Sequence, residues 1–225
     1  MLIHNPTKMK NTFLILTALV LLCSADGPKL VNKKIAEGVS VSLPKNFYPM
    51  SDDDVAQRYP STKKPLAMYT DLDRAVDFGL NISKSNWVGT DLKVLQGIYK
   101  STILSLYPKV NFIQEGVKNI KGRDYIVFEF TSEADNTPKY TYLQYAVVNT
   151  VVSKTDFNKV FIFNFSCAAP VMNKWQPVAA AIMATVNINA KETGKNLILK
   201  VPNEKKGVDP KKSLEQQKQH NPKNK

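Results

Sequence analysis

Apolar and polar positions alternate with period two through most of this chain, and the clearest case lies near its end. Phe161, Phe163 and Phe165 leave one face of a strand, and a short turn with Pro170 follows. Trp175, Val178, Ala179, Ile182 and Val186 then share one face of a helix. That helix is expected to fold back over the phenylalanine rings.

Earlier residues add further elements of both kinds. Residues 34–43 read as a first strand, with Ile35, Val39, Val41 and Leu43 apolar, a break at Gly38 and a stop at Pro44. Ser51 caps a short helix reaching about Arg58, and Asp52, Asp53 and Asp54 occupy its first turn, where carboxylates meet the positive end of the helix dipole. Strands at 66–70 and 75–83 flank a hairpin turn over Asp71, Leu72, Asp73 and Arg74. A helix over 91–107 presents Leu92, Leu95, Ile98, Thr102 or Ile103, and Leu106 on one face, and Pro108 stops it.

Strands at 110–118 and 125–131 pair around 119–124. In the second arm Ile126, Phe128 and Phe130 face one way, and Tyr125, Val127 and Glu129 the other. Residues 140–152 are apolar on both faces, as suits a central strand covered on both sides. A short edge strand is expected at 197–201. Runs of strands joined by hairpins, rather than strict alternation with helices, predict an α+β fold: a mainly antiparallel sheet covered by helices on its faces.

Composition divides the chain. Lys8 and Lys10 precede an apolar run over 13–23 that is broken only by Thr17 and is too short for a membrane span of about 20 residues. With small residues at its exit, residues 1–25 read as a secretory signal peptide cut after Ala25. Cys23 offers another reading, cleavage before it and acylation, as in bacterial lipoproteins; that pattern asks for a small residue just before the cysteine, and Leu22 stands there. Residues 26–202 are expected to form a single domain. Residues 203–225 are lysine-rich without apolar periodicity and are expected to be a disordered basic tail.

Of the net charge of +12, two units belong to the leader and four to the tail, which leaves +6 for residues 26–202. That moderate excess favours anionic surfaces, but no arginine cluster or recognition motif points to nucleic acid, and no nucleic-acid partner is expected. After cleavage at Ala25 only Cys167 is left, so no internal disulfide can form. It reads as a small buried hydrophobe at a strand end.

Catalytic chemistry finds little to build on. The only histidines are His4 and His220, in the leader and the tail, so a histidine-based triad or the usual zinc site is not expected in the domain. No glycine-rich phosphate loop occurs, and no cofactor or metal is expected. A carboxylate pair such as Glu115 with Glu129 could run hydrolysis, but nothing distinguishes these two from solvated surface acids. Trp87, in a loop, and Tyr140 and Tyr142, on one strand face, are the candidates for partner or ligand contact; for each the competing account is core packing.

Three stretches carry a resemblance. The first strand ends in Leu43-Pro44-Lys45-Asn46-Phe47, Tyr140-Thr141-Tyr142 follow a Phe-rich hairpin arm, and the closing strand and helix run from Phe163-Asn164-Phe165-Ser166-Cys167 through Trp175 to Ile182-Met183-Ala184-Thr185-Val186. Over roughly residues 31–190 the chain resembles the PsbP-like fold of photosystem extrinsic subunits, Ran-binding Mog-type proteins and bacterial DcrB-type envelope proteins. The resemblance implies a sheet between helices, and its exported bacterial branch fits the leader best; it carries over no site residues. The function expected is that of an exported envelope protein, periplasmic or secreted, that works as a non-catalytic protein-interaction module. Its partner would be another envelope protein, and it would meet the membrane only if Cys23 is lipidated. The alternative is a carrier of a small hydrophobic or lipidic ligand between sheet and helix.

Overall fold

A computed structural model describes residues 27–60, 64–84, 86–89, 91–134, 137–152 and 155–189, with the side chains of 134, 150–152 and 155–157 left aside. The leader with Cys23, the strand expected at 197–201 and the basic tail lie outside the described residues.

Ten strands and three α-helices are described. In chain order they are β1 (Leu30–Ala36), β2 (Val39–Pro44), β3 (Tyr48–Pro49), α1 (Asp52–Arg58), β4 (Ala67–Thr70), β5 (Val76–Ile82), α2 (Leu92–Leu106), β6 (Asn111–Ile120), β7 (Arg123–Ala134), β8 (Thr137–Val152), β9 (Thr155–Ala168), α3 (Met172–Ala184) and β10 (Asn187–Ile188). A seven-stranded sheet runs in the order β3-β4-β5-β9-β8-β7-β6, and a three-stranded one in the order β1-β2-β10. Every pairing is antiparallel. The α+β class expected from the pattern is therefore observed.

Alternation along the strands decides what each sheet face meets. Phe161, Phe163 and Phe165 of β9 join Val76, Phe78 and Leu80 of β5 and Tyr140 and Tyr142 of β8 in one buried cluster. Helix α3 covers it with Trp175, Val178, Ala179 and Ile182, and the smaller sheet adds Val39, Val41 and Leu43. The Trp175 ring lies 6.1 Å from Phe165 and 5.8 Å from Phe47, so the helix folds onto the rings as its spacing predicts. The opposite face holds Ile126, Phe128, Phe130, Leu143 and Tyr145 under α2. There too, Met68 packs with Val55 of α1 and Met50.

Two elements differ from expectation. The strand expected over 34–43 is a hairpin, β1 and β2, that reverses at Glu37 and Gly38; Gly38 has φ 66°, a conformation that suits glycine. The buried side of α2 is also rotated from the expected face. Leu95 and Ile103 are buried, but Ile98 is 50% and Leu106 68% exposed. Tyr99 stacks on Tyr145 with ring centroids 4.1 Å apart, which turns the row Leu95-Tyr99-Ile103 toward the sheet and Ile98 away. Elsewhere Ser51 caps α1 as read, accepting from the Asp54 backbone N–H at 3.1 Å.

Candidate functional site

The turn joining β6 and β7 is two residues long. Lys121 and Gly122 have φ values of 52° and 79°, the pair of left-handed conformations of a tight hairpin. Asn119 braces this tip, donating to Asp124 at 2.7 Å and accepting from the Gly122 backbone N–H at 3.1 Å. Across from it, Thr185 accepts from the Ser42 backbone N–H at 2.9 Å, which fixes the end of α3 against β2. Arg123 reaches over to donate to the Ile188 carbonyl at 3.4 Å.

Between the hairpin tip, the start of α2 and β10 lies a cleft of about 620 Å³. Its apolar lining comes from Leu92, Ile120, Val147, Val186 and Ile188, and its polar lining from Lys121, Arg123, Asp124, Asn158 and Asn187. The volume falls within the range of small-ligand sites.

From beside the cleft an exposed apolar surface runs along α2 and β6. Of the eleven large apolar side chains exposed among the described residues, seven lie between Val88 and Val117, on the loop before α2, on α2 and on the edge strand β6. Val88 is 91% exposed. Such clustering differs from the scattered apolar exposure of ordinary surfaces. Lys100 of α2 pairs with Glu115 of β6 at 2.7 Å, while Lys93 and Lys121 have no carboxylate at ion-pairing distance among the described residues.

Trp87 sits beside the cleft. Its backbone N–H donates to the Asn158 carbonyl at 2.7 Å, and its half-buried ring packs against the α2-side core. A Cβ placed on Gly89 would stand 2.7 Å from that ring, so glycine is what lets the loop close over the indole. The indole Nε1 is buried and has no partner among the described residues. Trp87 is thus mainly a plug at the end of the core, and it adjoins the cleft through Gly89 and Asn158.

Tyr140 and Tyr142 are buried under α3, which places them in the core and away from any surface. The Tyr140 hydroxyl donates to Glu129 at 3.0 Å, and Gln176 of α3 donates to the same carboxylate oxygen at 2.6 Å. Glu115 is on the other face, paired with α2, so the two glutamates are not brought together. Two of the three aspartates of α1 are held in ion pairs, Asp52 with Lys64 and Asp54 with Arg74 at 2.5 Å.

One cluster escaped the sequence. Asp77 of β5, 6% exposed, accepts from Arg58 at 2.6 Å and from the Tyr59 hydroxyl, and so ties α1 to the sheet. The signal was a carboxylate on the face of β5 opposite Val76, Phe78 and Leu80.

Burial raises the ionisation of several of these groups. The Cys167 thiol is pushed up to about 11, and Tyr142 to about 12 by burial and then by the Glu129 charge. Tyr140, Tyr145 and Tyr59 also move up, each first through burial. In the unfolded chain cysteine ionises near 8.5 and tyrosine near 10. Above about pH 8.5 the unfolded state therefore holds fewer protons than the native one, and stability falls as pH rises. Tm is expected to change little up to about pH 8 and to drop progressively from about pH 9 to 11; a flat Tm over that window would contradict these burials.

The PsbP-like fold anticipated from the sequence is the fold of this chain. A crystal structure of LpqN, described as involved in cell envelope biogenesis of Mycobacterium tuberculosis, is similar with a TM-score of 0.51 at 11% identity, over 72% of this chain and 91% of LpqN. The solution structure of cyanobacterial PsbP from Synechocystis aligns with a TM-score of 0.48 at 13% identity, over 74% of this chain and 97% of that one. At such identities the likeness is one of fold. No family model matches the sequence, and no curated protein matches it.

Proposed function

We propose that this chain is an exported cell-envelope protein that works as a non-catalytic interaction module, and that its contact surface is the outer flank of α2 with the edge of β6. The observation that carries this reading is the concentration of exposed apolar side chains there, with Val94, Ile98, Leu104 and Leu106 on the helix and Ile113 and Val117 on the strand. The partner is another envelope protein with an apolar patch and an acidic border, because exposed Lys93 on α2 has no carboxylate at ion-pairing distance among the described residues. Export rests on the pattern of residues 1–25, and the envelope setting is supported by the fold shared with LpqN.

The carrier reading, in the form of a ligand held between sheet and helix, has less support. The space between α3 and the sheet is filled by Tyr140, Phe161, Phe163, Phe165 and Trp175, none more than 6% exposed. A filled interior of that kind leaves a ligand no room without displacing side chains.

Site-specific photo-crosslinking in the native host tests the contact surface. A photoreactive residue at Ile98 is expected to give a discrete adduct with one envelope protein, and the same residue at Leu72, exposed in another turn, none. Adducts from Leu72 alone would sink the assignment. The mass of the chain recovered from the host bears on Cys23: a start at Asp26 fits cleavage after Ala25, whereas a diacyl or triacyl adduct places the protein on a membrane.

A further inference from the structure

We infer that the cleft beside the β6–β7 turn is a binding site for a small single-chain amphiphile with a carboxylate head, with Lys121 and Arg123 holding the head. The inference stands apart from the partner surface, since it concerns a concave site at one end of that surface and is tested on the purified chain alone.

Three observations converge on it. The cleft has a volume of about 620 Å³ and takes apolar lining from Leu92, Ile120, Val147, Val186 and Ile188. Apolar lining of this kind removes part of an alkyl chain from water, the main source of affinity for such a ligand. Two cations stand at the polar side. Lys121 has no carboxylate partner among the described residues, and Arg123 is engaged only by the long 3.4 Å contact to the Ile188 carbonyl, leaving its other N–H groups for a planar carboxylate. The single acid of the lining, Asp124, accepts from the neutral Asn119 amide at 2.7 Å and offsets only one of the two cations. The charge left over at this rim is positive, which selects an anionic head over a neutral or cationic one.

The third observation is the Trp87 indole. Its buried Nε1–H lacks a partner among the described residues, and two residues that pack on or bond to Trp87, Gly89 and Asn158, line the cleft. A buried donor without an acceptor is uncommon, and here it belongs to a residue whose neighbours form part of the cleft wall. Lys121 has its backbone in the left-handed region, so its side chain is presented from a fixed, braced turn rather than from a loose loop.

Isothermal titration of the full chain with dodecanoate, below the concentration at which it forms micelles, tests the site. One dodecanoate is expected to bind per chain, with 1-dodecanol and acetate at least tenfold weaker. Arg123→Gln and Lys121→Asn, the latter chosen because asparagine tolerates the left-handed turn, should each weaken dodecanoate about tenfold and leave Tm unchanged. Trp87 fluorescence, read in a Trp175→Phe background, should shift on binding. Equal binding of dodecanol, unchanged affinity in both variants, or no saturable heat would each overturn the inference. Such failures would leave the crosslink from Ile98 untouched, so the site and the partner surface fall separately.

Discussion

Replacing Trp175 with alanine is expected to destabilise the fold by about 4 kcal/mol, the usual cost of emptying a large aromatic site in a core. Trp175 is 6% exposed and is the residue through which α3 grips the sheet, with Phe165 on one side and Phe47 on the other. Phe165 lies near the end of β9 and Phe47 in the loop after β2, so the indole joins α3 to both of these rings at once. The alanine variant leaves a void between them, and close-packed neighbours collapse into such voids only in part. For a chain of this size each kcal/mol moves Tm by about 2–4 °C, so a drop of roughly 8–16 °C should appear in a thermal melt. Trp175→Phe keeps most of the volume and should lose much less. A shift under about 3 °C for the alanine variant would mean that α3 does not close the core in this way.

Asp77→Ala carries the second large effect, about 3 kcal/mol, for a different reason. Removing one member of a buried ion pair strands its partners, and the cost comes from those stranded groups more than from the bond itself. Here the Tyr59 hydroxyl and the Arg58 guanidinium would both lose the same acceptor. Arg58 keeps 30% of its side chain in solvent and can recover some hydration, so the tyrosine sets most of the loss. A double-mutant cycle with Tyr59→Phe should return a coupling of about 1–2 kcal/mol. Additive effects would mean that the two groups act independently and that α1 is held by its apolar contacts alone.

These two sites differ in how legible they were. The Trp175 helix and the phenylalanine strand follow from spacing, because both periods are strong and the residues involved are large and apolar. The hairpin of β6 and β7, the central place of β8 and the N-cap at Ser51 were readable for similar local reasons. The β1–β2 hairpin was not, since Ile35, Val39, Val41 and Leu43 sit on the same side whether the chain runs straight or reverses at Gly38. On α2 the apolar residues nearly encircle the helix, and the choice between Ile98 and Tyr99 as the inward residue was made by the Tyr145 ring, a partner 46 positions away.

Function was less legible than fold. Trp87 marked the right neighbourhood, but Tyr140 and Tyr142 marked the core, because an aromatic pair on a strand looks the same whether it lines a site or fills one. The cleft had no sequence signal, since Arg123 and Ile188, its two sides, are 65 positions apart and meet only when the β2–β10 pairing is made. Periodicity alone points Ile98 and Leu106 inward, and only the packing of α2 shows them exposed.

With stability in the aromatic core and the proposed interaction on the outer flank of α2 and β6, one comparison separates the two. The wild-type chain and an Ile98→Asp/Val117→Lys variant would be sized in detergent extracts of the native envelope, with the melting of each purified protein measured alongside. The wild type should run in a complex larger than the free chain of about 25 kDa and the variant as the free chain, with Tm values that agree within a few degrees. A variant that keeps the complex, or a wild type that already runs as the free chain, would contradict the assignment of this face.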